Sequence, residues 1–220
     1  MPTTLYRPVG LSELALIWES GCGAFPPRLP DQPTFYPVTS LQYATQIARD
    51  WNTKVPSFAG YVTCFKVDDD YLAKFERHVV GSAVHEEYWI PAAELPPFNE
   101  AIRGRIEVEA AFFGDSFAGF VPDISGFKGK NAEQQFVVLA RSWDRSRMDF
   151  ALEILPNRKA VYLNCLFWLQ RDFSIHGITA DQKASVLAGV IKAWKCEAIE
   201  PELPAGLIRA VLENEGASRS

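Results

Sequence analysis

Five prolines between residues 22 and 38 constrain the fold more than any other feature of the sequence. The segment reads CGAFPPRLPDQPTFYPV, and this density of proline excludes a helix, and also a central strand before FYPVT. Helical patterns flank it, with LSELALIWESG before it and SLQYATQIARDWN after it. The first half of the chain is therefore predicted to consist of short elements around an irregular, extended segment.

The two flanking helices have recognisable ends. Ser12 is the expected cap of the first helix, and Gly21 is expected to stop it. The second helix is expected to be capped by either Thr39 or Ser40, with Tyr43 on its apolar face. These signals place a change from strand to helix directly after FYPV.

Strand-forming residues dominate four other stretches of the first half. They are TLYRPV, FAGYVTCFKVD, EEYWIP and RIEVEAAFF, and a short acidic helix is predicted at DDYLAKFE. Strands and helices thus alternate irregularly up to residue 114. This pattern is typical of an α+β lobe with small mixed sheets and flanking helices.

The composition changes at a glycine-rich stretch, GDSFAGFVPDISGFKGKN, which is a candidate linker or active-site loop. Beyond it the chain is predicted to be mainly helical, with one strand at DFALEIL and a late helix capped by Thr179. We therefore expect an α+β lobe at 1–114, a glycine-rich connection at 115–131 and a mainly helical lobe at 132–220.

Charge and cysteine content exclude several classes of protein. The net charge is −5, which offers no electrostatic basis for tight nonspecific nucleic-acid binding, because such binding requires a basic face. A local basic groove is compatible with this charge. The four cysteines form no CxxC pair and the histidines lack metal-ligand spacing, so no metal is predicted. Without a signal peptide or a membrane-spanning run, the protein is expected to be soluble and cytoplasmic, with reduced thiols and no membrane partner.

Two adjacent acids run into an aromatic strand in the stretch HEEYWIP, residues 85–91. Alternation along a strand places Glu87 and Trp89 on one face and Glu86 on the other. Only one of the two acids can therefore line a cleft. The stretch is compatible with a catalytic Glu87 and equally with acids that decorate a solvated strand end.

Three stretches of the first half follow one another in a suggestive order. LYRPV carries Arg7, FYPVTSLQYA carries a Ser/Thr motif and two tyrosines, and HEEYWIP carries Glu87 two residues after His85. This order resembles the ADP-ribosyltransferase family, in which a basic first strand, an aromatic Ser/Thr motif and a glutamate strand follow one another. The opening LYRPVG also resembles bacterial proteins loosely linked to ADP-ribosylation.

The resemblance implies an ADP-ribosyltransferase-like lobe that binds NAD as its substrate. Glu87 would be the catalytic carboxylate, because cleavage of the nicotinamide–ribose bond passes through an oxocarbenium-like transition state. ADP-ribose would be transferred to an unknown protein or small-molecule acceptor, or NAD would be hydrolysed. The residues that the resemblance places at NAD are Arg7, Tyr36, Thr39, Ser40, Tyr43 and His85.

Each of these residues also has a structural interpretation. Arg7, expected at the pyrophosphate or ribose, can instead close a strand end in an ion pair. Ser40, expected to contact ribose or hold Glu87, can instead cap the helix. The two tyrosines can belong to the core rather than stack on nicotinamide, and His85 can lie at the surface.

A second hypothesis belongs to another class of protein. On the same scaffold the chain would be a noncatalytic protein-binding module, such as an immunity or adaptor protein. Its contact surface would be formed by exposed aromatic residues and by the proline-rich stretch FPPRLPDQPTFYP.

Overall fold

The computed structural model describes residues 1–82 and 84–217, and the chain divides into two compact units, Met1–Ser116 and Phe117–Ser220. The division lies close to the predicted end of the first lobe at residue 114. The first unit combines small sheets with helices, and the second is helical where it is described. The predicted α+β class is confirmed.

The first unit is built from short strands and helices. Its strands are β1 (Pro2–Val9), β2 (Thr34–Phe35), β3 (Ala59–Asp68), β4 (Arg77–Val79), β5 (Glu86–Tyr88), β6 (Ile90–Pro91) and β7 (Ile102–Phe113). Its helices are α1 (Leu11–Glu19), α2 (Leu41–Asp50), α3 (Asp69–Leu72) and α4 (Leu95–Glu100), and 3₁₀ turns lie at Asn52–Lys54 and Ala92–Glu94.

The strands form one antiparallel sheet in the order β1-β3-β7 and two smaller pairs, β2 with β6 and β4 with β5. Val38 connects the larger sheet to the β4–β5 hairpin. It makes one antiparallel bridge to Tyr6 of β1 and another to Glu87 of β5. The strand that carries Glu87 therefore lies beside β1, separated from it by Val38.

One face of the larger sheet carries an aromatic core. Leu5 pairs with Phe65 across β1 and β3, and the Phe65 ring centroid lies 4.8 Å from that of Phe25. Phe35 lies 4.9 Å from Phe25 and 5.2 Å from Phe98. Burial of each phenylalanine stabilises the fold by about 1.5–3 kcal/mol. Because Phe25 and Phe35 belong to the proline-rich segment, this packing holds that segment against the sheet.

Helix α2 covers the opposite face of the sheet. The buried residues of this second cluster are Val38, Tyr43, Ala44, Ala48 and Val62, with Tyr6 packed against them. The helix lies very close to β3, since a Cβ on Gly60 would overlap the backbone of Ala48. The two faces of β1 are thus enclosed by different elements.

The caps of the first two helices differ in kind. Ser40 caps α2 by accepting a hydrogen bond from the Tyr43 N–H over 3.2 Å, which decides between the two predicted caps. The predicted cap of α1 is wrong, because the N-cap is Gly10, which offers no side-chain acceptor. Ser12 lies inside the first turn of α1.

The second unit consists of helices α5 (Ala132–Arg145), α6 (Arg147–Ile154), α7 (Arg158–Gln170), α8 (Ala180–Cys196) and α9 (Ala205–Ala217), with 3₁₀ turns at Ser125–Phe127 and Ser174–His176. Thr179 caps α8 as predicted, accepting a hydrogen bond from Gln182. The predicted strand at DFALEIL is wrong, because Ser146 caps α6 there. Phe150 and Ile154 are buried one helical turn apart.

The glycine-rich segment is fastened to the second unit by two buried amides. Asn164 accepts from the Phe120 N–H over 2.9 Å and donates to the Phe120 carbonyl over 3.0 Å. Gln135 donates to the same carbonyl over 2.8 Å and to the Lys130 carbonyl over 2.7 Å. Phe127 is fully buried. From Phe117 onward, the stretch expected to be a linker or an active-site loop is therefore part of the helical unit.

Candidate functional site

Backbone pairing fixes the face on which Glu87 lies. Tyr6 pairs with Val38, Val38 pairs with Glu87, and Glu87 pairs with His78 of β4. Side chains that are directly opposite in antiparallel pairs point to the same face. The Glu87 side chain therefore projects on the face of Tyr6 and Val38, which is the face covered by α2.

The carboxylate of Glu87 is buried and held by two neutral donors. The residue is 9% exposed. The indole N–H of Trp89 donates to Glu87 Oε1 over 2.8 Å, and the Tyr43 hydroxyl donates to the same carboxylate. Burial, followed by the charge of Glu87 and this hydrogen bond, raises the pKa of Tyr43. The phenol therefore stays protonated and remains a donor.

An exposed aromatic surface borders this carboxylate. Trp89 is 47% exposed, although the His78 ring stacks on it with 4.2 Å between centroids and 22° between planes. Tyr36 is 41% exposed and meets the indole at 90°, with 6.1 Å between centroids. Glu87 thus lies at the edge of a surface formed by Tyr36, His78 and Trp89, which we call the aromatic corner.

The His85 ring packs against the ring of Tyr43. The two rings stack with 4.3 Å between centroids and 21° between planes. The His85 Nε2 lies 3.0 Å from Gln46 Oε1 of α2, and its Nδ1 lies 3.2 Å from the Val80 carbonyl. His85 therefore joins the hairpin to α2 and positions the tyrosine that donates to Glu87.

Ser40 and Thr39 connect α2 to the hairpin through its backbone. Besides its capping role, the Ser40 hydroxyl donates to the Val84 carbonyl over 3.1 Å. The Thr39 backbone N–H donates to the Glu86 carbonyl over 3.0 Å, and its hydroxyl lies 3.4 Å from the same oxygen. The expectation that Ser40 holds Glu87 is not met, because Trp89 and Tyr43 make those hydrogen bonds.

Arg7 lies on the opposite face of the sheet from Glu87. It is adjacent to Tyr6 on β1, so its side chain projects to the other side, where it lies 4.4 Å from the centre of the Phe35 ring. Its guanidinium donates to Glu13 over 2.9 Å from Nε and 3.4 Å from Nη2, and to the Tyr36 carbonyl over 3.2 Å. Arg7, which was expected at the pyrophosphate or ribose of NAD, instead forms a buried ion pair with Glu13 of α1.

A second guanidinium approaches the same acid. Arg28 Nη1 lies 3.7 Å from Glu13 Oε1, and its side chain is 11% exposed. Burial, followed by the positive charge of Arg7, lowers the pKa of Arg28. Glu13 thus compensates two nearly buried cations and ties the proline-rich segment to β1.

The sequence predicts one contact of this site, between Glu87 and Trp89, but not the contact between His78 and Trp89. The shared face of Glu87 and Trp89 follows from strand alternation, and the hydrogen bond between them agrees with it. His78 has no motif around it that predicts a role, yet its ring stacks on the indole of Trp89. Its strand, β4, carries no clear strand pattern, so the sequence offered no signal for this contact.

Two of the three aromatic residues of the proline-rich segment are buried. Phe25 and Phe35 are 2% and 0% exposed. Only Tyr36, among the aromatic residues of that segment, is exposed, together with Leu29. The exposed aromatic surface of this region therefore depends on Trp89 and the hairpin.

Over residues 1–82 and 84–217, the structure contains no group of three histidine, cysteine or acidic side chains placed to hold a metal ion. In the same part of the chain no helix is both long and apolar enough to cross a membrane. Comparison with protein-family models, with curated proteins and with solved structures found no match to this chain.

Proposed function

We propose that the first unit binds NAD at the aromatic corner and cleaves its nicotinamide–ribose bond, with Glu87 as the catalytic carboxylate. The observation that carries this proposal is a buried carboxylate, held by two donors, at the edge of an exposed aromatic surface. The ADP-ribosyl group would pass to an unknown protein or small-molecule acceptor, or to water. The resemblance of the three ordered motifs to ADP-ribosyltransferases supports the same reaction.

Cleavage of the nicotinamide–ribose bond is favoured by a negative charge near the anomeric carbon. As the C–N bond breaks, nicotinamide leaves with the bonding electrons and positive charge develops on the ribose. A fixed carboxylate stabilises that charge without reorganisation at the moment of reaction. The nucleophile, an acceptor atom or water, then forms the new bond to the anomeric carbon and releases a proton. The donors Trp89 and Tyr43 fix the orientation of the carboxylate.

The roles of the other residues change in this proposal. Tyr36 and Trp89 would offer ring surfaces to nicotinamide, whereas Tyr43 and His85 position Glu87 rather than stack on the ligand. Arg7 takes no part in phosphate binding, because it is paired with Glu13 on the other face. Ser40 and Thr39 fix the start of α2 against the hairpin.

The test is incubation of the full chain with NAD labelled in the adenylate or nicotinamide part. We expect release of free nicotinamide, and we expect Glu87→Gln to lower its rate about 100-fold or more. Glutamine keeps an oxygen that can accept from Trp89, so the exchange removes chiefly the charge. The matched control is Glu86→Gln at the adjacent residue, whose carboxylate pairs with Arg77 at 3.4 Å. The proposal fails if wild type releases no more nicotinamide than Glu87→Gln.

A second candidate function is the noncatalytic binding module, and one observation favours it. Apolar side chains are exposed on the hairpin and on the first turn of α2, with Val79 at 60%, Val84 at 42% and Leu41 at 40%. Such a patch is compatible with a protein partner. A stoichiometric partner in a pull-down, together with no heat of NAD binding in calorimetry, would favour this alternative.

We place the proposed reaction in the cytoplasm. The four thiols are free, which agrees with a reducing compartment. Cys22 and Cys165 are buried, and burial raises the pKa of Cys165 to about 12. Its thiol is therefore unreactive at neutral pH.

A further inference from the structure

The Glu87 carboxylate is buried and forms no ion pair among the described residues. Its two hydrogen-bond donors, Trp89 and Tyr43, are neutral. The other acids of this region are paired, Glu86 with Arg77 at 3.4 Å and Glu13 with Arg7 at 2.9 Å. Because an uncompensated buried carboxylate is unfavourable, a ligand that brings positive charge would be stabilised beside Glu87.

The aromatic side chains next to Glu87 determine which kind of cation would bind there. Trp89 and Tyr36 meet at a right angle and are both about half exposed. The faces of aromatic rings attract cations, most strongly the indole face, and favour charge that is spread over a ring or over methyl groups. Because the His78 ring stacks on one face of Trp89, a ligand would contact the opposite face of the indole and the exposed ring of Tyr36. The indole N–H is already used in the bond to Glu87, which places the carboxylate directly at the indole edge.

The same aromatic side chains disfavour metal ions and primary ammonium groups. A hard metal ion requires several oxygen ligands, and the part of the chain that the structure describes gathers no group of three metal-type side chains. A primary ammonium is compact and strongly hydrated, so it loses more hydration against aromatic walls than a delocalised cation does.

We propose that the aromatic corner, with Glu87 at its edge, is a binding site for an organic cation whose charge lies on an aromatic ring or a quaternary nitrogen. The pyridinium of oxidised nicotinamide is one such cation, and a trimethylammonium group is another. This inference concerns recognition alone and does not require that NAD is cleaved. Loss of catalysis and loss of cation binding are therefore separate results.

The experiment is an NMR titration of the full chain that follows the tryptophan indole N–H signals. The sequence has six tryptophans, and the Trp89 signal is the one absent from the spectrum of Trp89→Phe. Three probes are added separately: 1-methylnicotinamide, which is a pyridinium; nicotinamide, its neutral counterpart of nearly the same shape; and choline.

We expect 1-methylnicotinamide to shift the Trp89 indole signal in a saturable way and to bind about tenfold more tightly than nicotinamide, a difference of about 1.4 kcal/mol. Glu87→Gln should lower its affinity about tenfold, whereas Glu86→Gln should not change it. Trp89→Phe keeps a ring but removes the indole, and should weaken binding while its spectrum reports an intact fold.

The choline arm distinguishes the two sources of the charge. Binding of choline but not of 1-methylnicotinamide supports the cation site and argues against a nicotinamide occupant. Equal affinity for 1-methylnicotinamide and nicotinamide, or cation binding that Glu87→Gln leaves unchanged, overturns the proposal. Absence of nicotinamide release from NAD, with cation binding retained, contradicts only the proposed reaction.

Discussion

Arg7 and Glu13 form a bidentate ion pair between β1 and α1, with 2.9 Å from Arg7 Nε to Glu13 Oε1. The Arg7 side chain is 9% exposed and that of Glu13 is 22% exposed. The pair lies on the face of β1 that packs against Phe35, whereas Glu87 lies on the face that packs against α2. The basic residue of the first strand is thus a structural element of the core.

Removal of the acid from this pair should destabilise the first unit. Glu13→Gln leaves the guanidiniums of Arg7 and Arg28 without their anion, and loss of one partner of a buried pair costs about 3 kcal/mol. We expect a lower urea midpoint. The control Asp50→Asn breaks the exposed Arg49–Asp50 pair and should leave the midpoint unchanged. Equal midpoints for the two variants would show that the buried pair does not stabilise the fold.

Loss of the buried amide of Asn164 should release the glycine-rich segment. Asn164→Leu removes two hydrogen bonds to the Phe120 backbone and one to Gln135, at about 1 kcal/mol each. We expect a loss of about 3 kcal/mol in the free energy of unfolding by urea. The benchmark is Asn131→Ala, which removes the helix cap of α5 and should cost about 1 kcal/mol. A smaller loss of unfolding free energy for Asn164→Leu than for Asn131→Ala would show that the Asn164 hydrogen bonds do not hold the glycine-rich segment in place.

Alkaline pH should destabilise the fold through Tyr71. Its hydroxyl donates to the Glu94 carbonyl over 3.0 Å and to Glu94 Oε2 over 3.2 Å. Burial, followed by these contacts with Glu94, raises the pKa of Tyr71 from 10.0 to about 12. Because the folded pKa is above the unfolded one, this stabilisation is complete below about pH 10. It is lost as the pH rises to about 12.

The measurement for Tyr71 is the urea midpoint between about pH 10 and 12, in wild type and in Tyr71→Phe. Wild type should lose more stability across this range than the variant. The difference in tyrosinate absorbance between the two proteins should titrate near pH 12. A difference titration centred near pH 10 would show that the folded state does not favour the neutral phenol.

Local signals allowed several elements of both units to be predicted. The caps at Ser40 and Thr179 follow from side chains that satisfy free N–H groups, and β3 follows from its run of β-branched and aromatic residues. Where the local pattern was compatible with both a strand and a helix, tertiary packing determined which of the two forms. The stretch around Phe150 has strand-forming residues, but Ser146 caps it and Ile154 is buried one turn later, so it is helical.

The candidate site could be predicted only in part, because its geometry depends on long-range pairing. Alternation indicates that Arg7 and Tyr6 face opposite ways, but not which side α2 covers. That depends on Val38, which bridges two strands from an irregular segment. The contact of His78 with Trp89 depends in turn on a three-residue strand. Order along the chain therefore did not reveal which motifs share a face.

The close approach of α2 to β3 at Gly60 has a consequence for the chemistry of the first unit. Any side chain there would meet the backbone of Ala48 and act as a wedge beneath the helix. Tyr43 lies five residues before Ala48 in α2. The same displacement of the helix would therefore move the Tyr43 phenol away from Glu87. The absence of a side chain at Gly60 thus allows α2 to approach β3 closely. This close approach in turn affects the orientation of the Glu87 carboxylate, which Gly60 does not contact.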